Sequence, residues 1–249
     1  MLSPIFNNAA QPTEERFALQ GAHTLRVNLA GDQDVVARAG SMVAFEGMVE
    51  FDGEYQSHHQ RHSQMMTGEV LPLMRCFGQG VVYLANLAQH VHVLDVDHEG
   101  LTVDSGYVLA MDAHLHWDIV SVESQHGIPG VGAYNTLITG QGRVAITTSG
   151  SPLVLRVTPQ QLCSVDADAV VAWSSSLRVQ MQAQTSSKSI WRRRGTTGEG
   201  WELNFMGDGH VVVQPSELLP PQQTSFGQRL QFQQGQGPGL GQGGAWGPR

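Results

Sequence analysis

Apolar and polar positions alternate in short runs along most of the chain. Leu25 and Val27, Val91 and Val93, and Leu153 and Leu155 are each separated by one residue, the period of two expected of half-buried antiparallel strands. The alternation restarts three times behind paired glycines: FGQGVVYLA from Phe77, TGQGRVAIT from Thr139 and MGDGHVVVQ from Met206. A strand continues directly after each pair, so these are not phosphate-cradling loops, which need a helix opening at that point. Gly78, Gly80, Gly140, Gly142, Gly207 and Gly209 are therefore expected to relieve crowding where a bend or bulge brings backbones close.

A second marker keeps step with the first. RAGSMVAFEGMVEF from Arg38, DSGYVLAMDAHLHW from Asp104 and DADAVVAWSSSLRV from Asp166 align without a gap around Ala44, Ala110 and Ala172, 66 and 62 residues apart. The glycine pairs, counted at Gly80, Gly142 and Gly209, are 62 and 67 residues apart. Two markers that both recur every 62 to 67 residues define an internal repeat, and repeats fix the architecture on which any motif must sit. In each copy Val49 and Phe51, Leu115 and Trp117, or Leu177 and Val179 give one apolar face, with Glu50, His116 or Arg178 between them. Gly40, Gly106 and Asp168 stand at the turn before it, where left-handed backbone is expected.

A unit of this size buries its own apolar face poorly, so three copies are expected to pack around a shared interior. The predicted fold is all-β, a pseudo-threefold barrel or prism with little helix. The N-terminal arm covers residues 1–18, a single β domain covers 19–215 in copies of about 19–85, 86–148 and 149–215, and a Gln/Gly/Pro-rich tail covers 216–249. The composition of that tail cannot form a core.

The runs ARAGSMVAFEGMVEF, GQGVVYLA, LTVDSGYVLAMDAHLHWDI and GEGWELNFMGDGHVVVQ resemble the altered inheritance of mitochondria 24 family, across roughly Leu19 to Pro215. The resemblance implies a bacterial member and a β-rich fold similar to that of the tryptophan-RNA-binding attenuation protein. It implies no established catalytic residues.

Bulk properties narrow the chemistry. At 249 residues with a formal charge of −8, the chain lacks the clustered cations that attract polyphosphate or anionic membranes, so nucleic acid is disfavoured as a partner. No apolar run reaches the roughly 18 residues that signal a membrane-spanning helix, and no signal peptide is evident at the N-terminus, so a cytoplasmic location is expected. Cys76 and Cys163 have no CxxC neighbour, and read as two buried thiols.

Histidine is the strongest local chemistry. His90 and His92 share a strand face, as do His114 and His116, and imidazoles two residues apart on a strand can bind one ion. Their counterparts in other copies are mostly residues that tolerate solvent, such as Thr24, Arg26, Glu50 and Arg178, and no carboxylate follows either pair at the usual cupin spacing. A cupin-like metal protein is thus the alternative reading, exposed histidines the simpler one, and no cofactor is expected. His58, His59 and His62 form a polar cluster that reads as a surface loop. Trp191, Arg192, Arg193 and Arg194 reverse the acidic balance locally, as a protein contact or, alternatively, a single-stranded RNA contact. No nucleophile elbow is present. The sequence therefore points to a non-enzymatic binding or scaffold protein that associates with itself, because repeated β units present edges that must be covered.

Overall fold

The computed structural model describes residues 3, 5, 10, 12–31, 33–53, 71–124, 134–183 and 201–216. Among them no α-helix occurs, and the strands carry the fold as the alternation predicts. The first copy holds β1 (Phe17–Gln20), β2 (Thr24–Ala30), β3 (Val35–Arg38), β4 (Met42–Asp52) and β5 (Leu73–Leu84). The second holds β6 (His90–Val96), β7 (Leu101–Val103), β8 (Val108–Asp112), β9 (His116–Ser121), β10 (Glu123–Ser124), β11 (Tyr134–Thr139) and β12 (Gly142–Thr148). The third holds β13 (Leu153–Val157), β14 (Cys163–Asp166), β15 (Val170–Ser174), β16 (Arg178–Ala183), β17 (Trp201–Met206) and β18 (Gly209–Val213).

The three alanines that anchor the repeat occupy matching places in the ladders. Ala44 pairs with Tyr83, Ala110 with Ala145 and Ala172 with Val212. One residue earlier each strand carries a bulge, so that Val43, Leu109 and Val171 are the extra residues of an otherwise regular antiparallel pairing. The same alternation is also obeyed downstream: Val49, Leu115 and Leu177 are buried, whereas Glu50, His116 and Arg178 are exposed.

Copies are joined by a strand of one pairing with a strand of the next. At the first joint β3 meets β8, with Val36 opposite Met111 and Ala37 opposite Ala110. At the second β7 meets β15, with Thr102 opposite Trp173 and Val103 opposite Ala172. These joints give an eight-stranded sheet in the order β1-β2-β5-β3-β8-β12-β6, with β4 on β5, and a six-stranded sheet in the order β13-β18-β15-β7-β11-β9. A third joint by the same rule would set β14 against β4. Among the described residues it is not made: β14 pairs with β17 in a four-stranded sheet of order β10-β16-β17-β14, and β4 pairs with β5.

The copies also differ in local structure. Asp112-Ala113-His114 and Ser174-Ser175-Ser176 break the second and third copies into separate strands, with turn hydrogen bonds from Leu115 N to Asp112 O (3.1 Å) and Leu177 N to Ser174 O (3.0 Å). Each broken hairpin sends its two halves into two different sheets. In the first copy Glu46-Gly47-Met48 stands at that place and makes no break, so β4 runs for 11 residues and β5 for 12 in one continuous ladder. Both halves stay together, and the expected pseudo-threefold ring remains nearly closed, one joint short.

The interior follows the joints. The first core cluster contains Leu25, Val27 and Leu84 together with Leu109 and Ala110 of the second copy. The second contains Val103, Tyr107 and Ile146 together with Val171 and Ala172 of the third. The third contains Val157, Val165, Trp173 and Phe205, and takes nothing from β4. Trp173 and Phe205 meet edge to face at 5.6 Å, a favoured aromatic geometry.

Two local expectations need correction. Of the three turn residues, Gly40 adopts left-handed backbone (φ 83°), but Gly106 and Asp168 do not. Gly106 sits in a 3-10 turn, Ser105–Tyr107, capped by Asp104, whose carboxylate accepts from Gly106 N at 2.7 Å; Asp166 makes the equivalent bond to Asp168 N at 2.8 Å. An aspartate cap replaces the need for positive φ. Leu153 is also not buried as Leu25 and Val91 are; it is 58% exposed, at the outer end of an edge strand.

Candidate interaction site

The paired glycines of the first copy mark where β4 and β5 run closest. A Cβ on Gly78 would lie 2.3 Å from Met48 O, and one on Gly80 would lie 2.0 Å from Glu46 O, separations no side chain tolerates. Gly140 and Gly207 have φ of 117° and 124° in the breaks between β11 and β12 and between β17 and β18. A Cβ on Gly142 would meet Asp112 and His114 side-chain atoms, and one on Gly209 would meet Ser174. The expected crowding is thus present in all three copies, most severely in the first.

The histidine pairs lie apart. His90 and His92 are on β6 of the eight-stranded sheet, His116 is on β9 of the six-stranded sheet, and His114 is in the turn before it. His92 Nε2 is 2.8 Å from Thr148 Oγ1, His114 Nε2 is 2.8 Å from Gln141 O, and His90 packs its ring edge on His23 at 4.7 Å. Among the described residues no three His, Cys, Asp or Glu side chains gather to hold a metal. Burial, and then the neighbouring His90, push the His92 pKa below its ordinary value. His58, His59 and His62, and Trp191, Arg192, Arg193 and Arg194, lie outside the described residues, as does the tail from residue 217.

A charged cleft of about 580 Å³, lined by Arg16, Gln33, Asp34, Arg75, Asp112, Ala113 and His114, was not legible beforehand, because its residues come from segments distant in sequence. Its charges stitch strands together. Arg16 Nε donates to Asp112 Oδ1 at 2.8 Å and one Arg16 terminal nitrogen donates to Asp34 O at 2.9 Å. Arg75 Nε donates to Asp34 Oδ2 at 2.7 Å, and Arg143 N donates to Asp112 Oδ2 at 2.8 Å. Both carboxylates are committed to these partners, and pairing of this kind fixes geometry more than it provides reactivity. Cys76 is buried as expected, but Cys163 is partly exposed rather than buried; burial pushes Cys76 up to about 12 and raises Cys163 as well, away from the thiolate that reacts.

What the surface does present is an apolar strand edge. Met42, Val43, Phe45 and Met48 on β4 are all exposed, Val43 by 60% and Phe45 by 48%. The counterparts of Val43 and Phe45, namely Leu109 and Met111 in the second copy and Val171 and Trp173 in the third, are buried at the joints. Leu162, which opens the unpaired side of β14, is 61% exposed. Nothing in the repeat pattern marks this edge, because Val43 and Phe45 are as apolar as their buried counterparts.

Three comparisons frame these observations. The family model for mitochondrial biogenesis AIM24 matches residues 17–216. No curated protein matches the chain. The crystal structure of a Streptococcus pyogenes protein superposes with a TM-score of 0.63 at 21% identity, covering 87% of this chain and 97% of that one; at that identity the likeness concerns the fold.

Proposed function

The chain belongs to the mitochondrial biogenesis AIM24 family, and on that premise we propose that it is a non-enzymatic scaffold that associates with copies of itself. The observation that carries this reading is the exposed apolar edge of β4, with Met42, Val43, Phe45 and Met48 on one strand. A long apolar strand edge is a template for pairing with another chain, and proteins that do not use such an edge cover it, charge it or bend it away. Here the edge carries one acid, Glu46, among its first five residues. The paired carboxylates of the cleft, the scattered histidines and two thiols that burial raises rather than activates support a surface that binds rather than a centre that reacts.

Sedimentation velocity of the full chain tests this. Mass is expected to rise with protein concentration through the micromolar range. A chain that remains a monomer at every concentration, and recovers no partner from lysate, contradicts the reading.

A further inference from the structure

The two strands left unpaired by the missing joint belong to the same arrangement. Three copies joined by one rule need three joints, and the chain makes two within itself. Among the described residues, what is left over is one β4 edge at one end and one β14 edge at the other. Each is the counterpart of a strand already paired elsewhere in the molecule: β14 corresponds to β3 and β7, and β4 corresponds to β8 and β15.

We propose that β14 of one copy pairs with β4 of the next copy of this chain, making the third joint between molecules. This rests on the self-association reading above and names its surface. The register follows from the internal joints. Ala37 faces Ala110 and Val103 faces Ala172, and the repeat offsets carry these pairs to Val165 facing Ala44. Ser164 then faces Phe45 and Cys163 faces Glu46, with Leu162 opposite Gly47. The pairing covers Val43 and Phe45 as the internal joints cover Leu109, Met111, Val171 and Trp173. It also seals the third core cluster, which reaches β14 through Val165 and ends there.

Other occupants fit less well. A second β4 placed against β4 would set Val43 and Phe45 against each other and leave β14 bare. The head-to-tail pairing satisfies both edges at once, and because the two surfaces differ it generates a ring if the rotation closes and a filament if it does not.

The register gives a direct test with the full chain, because Cys163 is a native free thiol at partial exposure. Glu46 is exposed, so Glu46→Cys places a second thiol opposite it without disturbing the core. Mild oxidation of Glu46→Cys is expected to yield covalent dimers and higher multimers, lost in Glu46→Cys with Cys163→Ser and absent when the thiol is placed instead at an exposed turn, by His98→Cys. Phe45→Lys, also at an exposed position, is expected to weaken assembly at least about tenfold, as removal of a central interface anchor does, with the thermal midpoint of the diluted protein retained. Crosslinking that persists without Cys163 shows β4 against β4 and overturns the proposal. A disulfide between the introduced thiol of Glu46→Cys and Cys163 that is confined to single chains shows closure within the monomer and overturns it too. Assembly in sedimentation with no crosslink, or undiminished by Phe45→Lys, overturns this joint and leaves self-association standing, whereas a strictly monomeric chain overturns both.

Discussion

Ala44 and Ala110 are the same residue of two successive copies, each placed one position after a bulge and paired with the matching residue of its own copy, Tyr83 or Ala145. Ala110 is fully buried with Ala37 of the preceding copy facing it, and Ala44 is exposed, with no strand facing it on that side among the described residues. One backbone position thus has two fates, decided by whether a neighbouring strand arrives.

The close passage of β4 and β5 makes a ranking of glycine substitutions. Gly80→Ala sets a methyl group 2.0 Å from Glu46 O, a backbone atom that cannot move without opening the ladder. Such a clash is expected to cost about 3 kcal/mol or more. Gly142→Ala meets the side-chain ends of Asp112 and His114 at 3.0 and 3.1 Å, which can shift, and is expected to cost roughly 1 kcal/mol. Urea denaturation of the two variants checks the order.

Tyr107 ties the second copy to the end of the third. Its ring is fully buried, and its hydroxyl accepts from Gln214 Nε2 at 2.6 Å. Gln214 in turn accepts from Ser149 N at 3.0 Å through its side chain and donates its backbone N–H to Ala169 O at 2.9 Å. Tyr107→Phe keeps the packing and orphans a buried amide donor, a loss expected to cost about 1–2 kcal/mol. Tyr107→Phe combined with Gln214→Leu should recover part of that loss in the same denaturation experiment, since the unsatisfied donor is then gone.

How much of this the residues announced varies by feature. The all-β class, the three copies and the matched alanines were legible, because period-two alternation and paired glycines are local and survive in every copy. The number of joints was not. Joints are pairings between residues far apart in sequence, and the copies look alike up to Asp112-Ala113-His114 and Ser174-Ser175-Ser176, which turn where Glu46-Gly47-Met48 does not. The cleft of Arg16, Asp34, Arg75 and Asp112 was equally hidden, since no local pattern shows that Arg16 reaches Asp112 across the sheet. The left-handed turn expected at Gly106 and Asp168 failed because Asp104 and Asp166 cap the turns instead.

His92 gives a pH dependence with a definite sign. Burial and the adjacent His90 lower its pKa in the folded protein below the ordinary 6.5, so between the two values the unfolded chain binds more protons. Stability from this group is therefore complete above about pH 6.5 and is lost as pH falls through the lowered folded value. His92→Asn is expected to flatten that part of the profile. Thermal midpoints of both proteins between pH 5 and 8, the range in which histidine titrates, measure it; an unchanged slope would count against the assignment.

Backbone hydrogen exchange, followed by mass spectrometry at low and high protein concentration, tests the open joint most directly. In peptides covering Met42–Glu46 and Cys163–Asp166, the amides that point away from β5 and β17 are expected to exchange fast when dilute and to become protected together as concentration rises. Peptides covering Leu101–Val103 and Val108–Asp112, whose joints are made inside the chain, should stay protected throughout. Exchange of the β4 and β14 peptides that stays the same at every concentration, or protection of one without the other, would contradict it.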